Sequence, residues 1–172
     1  MFASDIVNFV DRNKAMKNSF RGFFGLEGGS TQGYFSQQTY SGKLEAVILN
    51  PKIDSDKAGG HWILFARHRR ALIYFDPLGR PPSHYSSSAY WKRLEASGRL
   101  VSNIGCQYQA EDSARCGLYV LYVLFFLSKG YKFSRIMNKF SLSHRSKNED
   151  LVLRFYNSKN FRRRYIKHSS DF

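Results

Sequence analysis

An α+β domain with one central sheet packed on one long apolar helix is the fold class this sequence predicts, and three observations predict it. The short runs "KLEAVILN", "HWILFA" and "ALIYFD" have the length and the β-branched or aromatic content of strands. From Leu118 to Leu127 ten apolar residues follow one another without interruption, which suits a helix buried on every side. Stretches with helical spacing precede and follow these segments, in an order that does not alternate strand and helix regularly.

Taken in chain order, "SDIVNFVDRNKAM" offers Ser4 as N-cap, followed by Ile6, Val7, Phe9 and Val10 at helical spacing. "RGFFGLEGGSTQGYF" is Gly-rich and reads as irregular, a turn or a groove wall. Lys43 to Asn50 is the first strand, and polar "PKIDSDKAGG" leads from it to a second, His61 to Ala66. "RHRR" makes a turn and Ala71 to Asp76 returns, so the two runs form a hairpin. "PLGRPP" ends regular structure, "SSSAYWKRLEA" is a serine-capped helix, and "LVSNIGCQYQ" is one more strand. After the apolar helix Gly130 is placed as a C-cap, and "KFSRIMNKF" and "NEDLVLRFYN" follow as helices, the second capped by Asn148.

The chain of 172 residues is expected to form a single domain over 1–172, and 16% aromatic residues exclude a disordered chain. Two cysteines cannot build a disulfide framework, and no charged-then-apolar leader opens the sequence, so an intracellular, reducing environment is expected. The apolar run is too short for a bilayer crossing, which needs roughly 18 to 20 residues. No membrane partner is expected. Charge is the outlier, with 27 Lys and Arg against 13 Asp and Glu for a net +14. From Tyr131 onward there are eleven Lys and Arg against three Asp and Glu. Basic residues interleaved with aromatics in "NFRRRYIK" suit phosphates and bases, which makes Arg162, Arg163, Arg164 and Lys167 candidate contacts to nucleic acid. Such binding would be non-specific and weakened by salt.

Chemistry concentrates near Cys116, in the first turn of the apolar helix. Free N–H groups and the helix dipole there favour a thiolate. Gly117 leaves space beside the sulfur for a substrate carbonyl. A nucleophilic cysteine needs a base, and of His61, His68, His84, His144 and His168 the first stands out, because a strand start after two glycines holds a ring in place. An antiparallel hairpin sets the start of its first strand against the end of its second. Asp76 thereby becomes the neighbour of His61 and can orient the imidazole. An oxyanion hole would combine the Cys116 backbone N–H with a side-chain amide, for which Gln107 and Gln109 both qualify. No metal is called for.

"GGHWILFA", "YFDPLG" and "QAEDSARCGLY" together resemble the adenovirus-type cysteine endopeptidases, the adenain family, and more distantly the proteases that process SUMO and related ubiquitin-like proteins. The resemblance is specific from His61 to Gly117 and extends with less specificity over most of the chain. It implies a papain-like cysteine protease fold, with a mixed sheet packed on the helix that carries the nucleophile at its N-terminus. Position by position it implies Cys116 as nucleophile, His61 as base, Asp76 as orienting acid and Gln109 as oxyanion donor. It also implies a polypeptide substrate cut at small, Gly-containing sites in viral or virus-like-element precursors. Trp62 is then a wall of the substrate groove, a ring that admits glycine and excludes larger side chains. Stimulation by DNA and by an activating peptide belongs to the same family pattern. The peptide is tethered there through a cysteine well upstream of the nucleophile, a place that Cys106, ten residues before Cys116, does not occupy. Cys106 is read as structural and the chain as a monomer.

Three other readings use the same residues. A protease for ubiquitin-like tails would also meet glycines at the cut. An acyltransferase would use a similar triad to move acetyl groups. A non-catalytic basic DNA-binding protein would carry the site in degenerate form.

Overall fold

A computed structural model describes residues 1–25, 43–51, 60–68, 71–86 and 89–167, and within these not the side chains of Tyr90 and residues 160–167. Among the described residues the strands form a five-stranded mixed sheet in the order β1-β2-β3-β4-β5. They are β1 (Phe20–Gly25), β2 (Glu45–Asn50), β3 (Ile63–His68), β4 (Ala71–Phe75) and β5 (Leu100–Ser102). β2, β3 and β4 pair antiparallel, whereas the outer strands β1 and β5 run parallel to their neighbours. The expected hairpin is present, with Leu64 opposite Phe75 and His68 opposite Ala71. Its strand β3 begins two residues later than expected.

Alternation along the strands sends Ala46, Ile48, Leu64, Ala66, Ile73 and Phe75 to one face of the sheet, and Val47, Leu49, Ile63, Phe65 and Tyr74 to the other. Both faces are covered. The first packs on α4 (Cys116–Ser128), the second on Trp91 and Leu94 of α3 (Ala89–Ala96). Two-sided burial explains why these strands read as unbroken apolar runs: the expected packing on the apolar helix accounts for one face, and α3 covers the other. α4 is buried on nearly every side chain, and it closes on Gly130 at φ 83° in a Schellman motif: Gly130 N–H donates to the Leu127 carbonyl and Tyr131 N–H to that of Phe126. No helix among the described residues is long and apolar enough to cross a membrane.

Several boundaries differ from the expectation. The first helix is split into α1 (Ala3–Asp11) and α2 (Lys14–Ser19), and Asn13 starts the second by accepting from the Met16 N–H at 3.4 Å. α1 begins before Ser4, with the Asp5 carboxylate accepting the Phe2 N–H at 2.9 Å. "RGFFG" is strand β1, not a turn, although its pairing with β2 slips between Phe20 and Phe23. The rest of that Gly-rich segment, most of "PKIDSDKAGG", the last two residues of "RHRR" and Ser87 and Ser88 before α3 lie outside the described residues. β5 has three residues instead of ten. After it the chain wraps around the turn that follows β4: Gly105 N–H donates to the Gly79 carbonyl, and Tyr108 and Gln109 N–H both donate to that of Pro77. Gly79 allows this approach, since it sits at φ 70° and a Cβ there would meet the Cys106 backbone at 2.7 Å. α5 (Phe133–Met137) and α6 (Arg145–Lys167) complete the chain, and α6 starts ahead of Asn148, which is therefore not its cap.

Replacing Trp91, fully buried with its ring edge-on to Phe65, by Ala is expected to cost about 3 to 5 kcal/mol in urea unfolding. Val7→Ala on the outer side of α1 should stay within about 0.5 kcal/mol.

Candidate active site

Four segments converge: the residues entering β3, the end of β4, the loop after β5 and the first residue of α4. Because β3 and β4 are antiparallel in the register above, the residue two before β3 reaches the residue just after β4. His61 Nε2 lies 2.6 Å from Asp76 Oδ1. That contact leaves Nδ1 as the ring nitrogen available to Cys116, which lines the same cleft as the ring. The sulfur also lies 3.9 Å from the Gly60 carbonyl, directly ahead of the histidine.

Asp76 is wholly buried, and its oxygens are met by donors that the sequence places in the next nine residues. Oδ1 accepts the Leu78 N–H at 2.8 Å besides His61; Oδ2 accepts the Tyr85 hydroxyl at 2.8 Å and the Arg80 N–H at 3.2 Å. The backbone of Asp76 is held as well. Asn103, also buried, accepts the Asp76 N–H at 3.0 Å and donates to the Asp76 carbonyl at 2.6 Å and to that of Cys106 at 3.0 Å. Tyr85 does double duty, since its ring also flanks His61 with centroids 5.6 Å apart. Its phenol is pushed up by burial first and by the Asp76 charge second, so it stays a hydrogen-bond donor.

His61 feels opposing influences. Burial alone would lower its pKa, but the hydrogen bonds to Asp76 and Cys116, together with their charges, push it from 6.5 up to about 9. The ring sits in a cleft of about 220 Å³ whose lining includes Gly60, Leu78, Arg80, Gln109, Ser113 and Cys116.

Gln109, nearly fully buried, donates from Nε2 to the Ser113 carbonyl, and its Oε1 has no hydrogen-bond partner among the described residues. An amide nitrogen carries two N–H groups, so one remains for another acceptor. Gln107 is turned away and donates to the Gln109 carbonyl at 2.9 Å.

Three of the expected residues, Cys116, His61 and Gln109, thus line one cleft, and Asp76 is buried behind the His61 ring. Two others do not behave as expected. Trp62 lies in the core instead of walling the cleft, packed on Phe23 with its indole N–H donating to the Met1 carbonyl at 3.1 Å. The space over Gly117 is taken by Met1, whose sulfur would be 2.6 Å from a Cβ there. Arg162, Arg163, Arg164 and Lys167 fall in the last turns of α6, where the side chains lie outside the described residues. Cys106 is a free, half-buried thiol. Among the described residues no cluster of His, Cys, Asp and Glu could hold a metal ion.

Tyr85 and Asn103 went unnoticed in the sequence. Tyr85 follows a Pro-rich break with no periodicity to mark it. Asn103 carries a signal in retrospect, a short polar amide directly after an apolar strand.

No family model matches the sequence, and no curated protein matches it. Solved structures do. Two crystal structures of the ASFV pS273R protease are 14% identical to this chain: one, with selenomethionine, covers 84% of this chain and 64% of its own at a TM-score of 0.49, the other 59% and 41% at 0.38. HopZ1a in complex with IP6 is also 14% identical, over 74% of this chain and 42% of its own, with a TM-score of 0.46. The chain therefore spans less than two thirds of the length of each. Likeness of this degree assigns no residue and no activity, and the site rests on its own geometry.

A raised histidine pKa carries a sign for stability. The protonated ring is favoured by folding, so its contribution is complete below about 6.5 and disappears as pH rises through about 9. Urea unfolding of the wild type should accordingly lose on the order of 3 kcal/mol across that window, relative to His61→Gln, which lacks the titrating ring.

Proposed function

We propose that the protein is a cysteine endopeptidase. The observation that carries the reading is the contact of His61 with Asp76 at 2.6 Å in a cleft that Cys116 also lines, at the start of a buried helix. A base oriented by a carboxylate and facing the same cleft as a thiol is the requirement for moving one proton between a sulfur and a leaving group.

In the proposed reaction Cys116, as thiolate opposite the His61 imidazolium, adds to a peptide carbonyl carbon. The carbonyl π electrons move to oxygen, which takes hydrogen bonds from the spare N–H of Gln109 and from the Cys116 backbone N–H. His61 then gives its proton to the amine as the C–N bond breaks, which leaves a thioester on Cys116. Neutral His61 next takes a proton from water, whose oxygen attacks the thioester. The C–S bond breaks and the carboxylic product departs, restoring the thiolate and imidazolium. Asp76 stays fixed throughout and stabilises the charged ring.

Substrates with small residues at the cut suit a narrow cleft whose room over Gly117 is filled by Met1. Glycine-containing segments of viral or virus-like-element precursors are the proposed class. The net charge of +14 supports nucleic acid as a partner, held non-specifically and released by salt.

Against a panel of glycine-containing peptides, Cys116→Ser and His61→Ala are each expected to lower kcat/KM by about 10³-fold or more. Cleavage at the wild-type rate by either variant would remove the assignment.

A further inference from the structure

Two segments of the site are gripped from a third part of the chain that neither the sequence nor the proposed chemistry calls upon. Asn148, 2% exposed near the start of α6, has its amide saturated: Oδ1 accepts the Ser141 N–H at 2.7 Å, and Nδ2 donates to the Ser141 carbonyl at 2.7 Å and to the Tyr108 carbonyl at 3.0 Å. Both backbone groups of Ser141 are engaged, so the amide cannot swing. The Tyr108 carbonyl takes a second bond at 3.3 Å from the hydroxyl of Tyr119, one turn into α4. Tyr108 immediately precedes Gln109.

The next residue of α6 reaches elsewhere, because consecutive helix positions point about 100° apart. Glu149 Oε2 accepts from Arg115 at 2.7 Å, and its side chain is only 17% exposed. The Arg115 end of the pair is half-exposed, so the carboxylate is the sheltered partner. Its other oxygen is buried without a partner among the described residues, so Arg115 is the cation that compensates it. Arg115 immediately precedes Cys116. Adjacent residues of one helix thus hold the residues directly before each of the two donors assigned to the oxyanion, the Gln109 amide and the Cys116 N–H.

The geometry points to Asn148 and Glu149 as positioning residues that set the distance between those donors, an inference that rests on the endopeptidase reading. His61 and Asp76 are held by other groups: Leu78, Arg80, Tyr85 and Asn103. Loosening the grip of α6 should therefore impair oxyanion binding and leave the thiol and imidazole pair intact.

Two reagents separate these effects. A peptide ending in glycinal adds to the sulfur as its carbonyl oxygen gains negative charge, and so needs the oxyanion donors. Iodoacetamide loses iodide when the sulfur attacks its methylene carbon, and forms no oxyanion. In Glu149→Leu and Asn148→Asp full-length proteins, glycinal affinity and kcat are expected to fall about tenfold or more, with KM and the rate of Cys116 alkylation held within about twofold. Unchanged glycinal affinity would overturn the proposal, and so would a joint fall of both reactions, the mark of a merely structural role. Should Asn148→Asp not fold, Glu149→Leu decides, since Arg115 can turn its half-exposed guanidinium to water. The wild type tests the underlying reading by itself. Cys116 alkylated no faster than free cysteine at neutral pH would remove the endopeptidase assignment before any variant is compared.

Discussion

A carboxyl group with no access to water dictates the local architecture of this protein. Asp76 is 0% exposed, and a buried carboxylate is tolerable only when its lone pairs are met by donors. The chain meets that demand by folding back on itself directly after β4, so that two backbone N–H groups, a phenol and an imidazole all point at one residue. The loop after β5 then docks on the same turn through Asn103, Gly105, Tyr108 and Gln109. Removing the carboxyl group would leave those donors facing one another without an acceptor. The His61 ring is consequently fixed by a network that predates any substrate, which is the preorganisation that proton transfer requires.

Much of this was legible in the sequence where period and chemistry coincided. Antiparallel pairing of "HWILFA" with "ALIYFD" brings His61 to Asp76, since strand register follows from the lengths of the runs and the position of the turn between them. Cys116 at the head of α4 was readable because an all-apolar helix announces its own start. The remainder depends on contacts between segments distant in the chain. β1 was missed because its glycines and its slipped register with β2 hide the period of two. β5 stopped early because Asn103 is drawn out of line by Asp76. Asn148 has the composition of a helix cap, yet tertiary partners at Tyr108 and Ser141 claim its side chain. Nothing in the sequence around Trp62 and Gly117 shows that Met1 lies against both. A cluster of arginines reveals charge but not geometry.

The two faces of the sheet divide the labour. Trp91, Leu94 and α3 cover one face and take no part in the cleft, while α4 covers the other and delivers Cys116. α6 spans from the cleft side toward the basic run: Arg162 lies thirteen positions beyond Glu149, roughly 20 Å of continuous helix.

The contact between Asn148 and Tyr108 joins residues forty positions apart, and ribosomes release chains from the N-terminus forward. His61, Asp76, Gln109 and Cys116 all emerge before the helix that braces two of their neighbours. A nascent polypeptide would carry those four side chains yet lack the brace until α6 cleared the exit tunnel, so on the proposed endopeptidase reading the order of synthesis would delay cutting by the emerging chain.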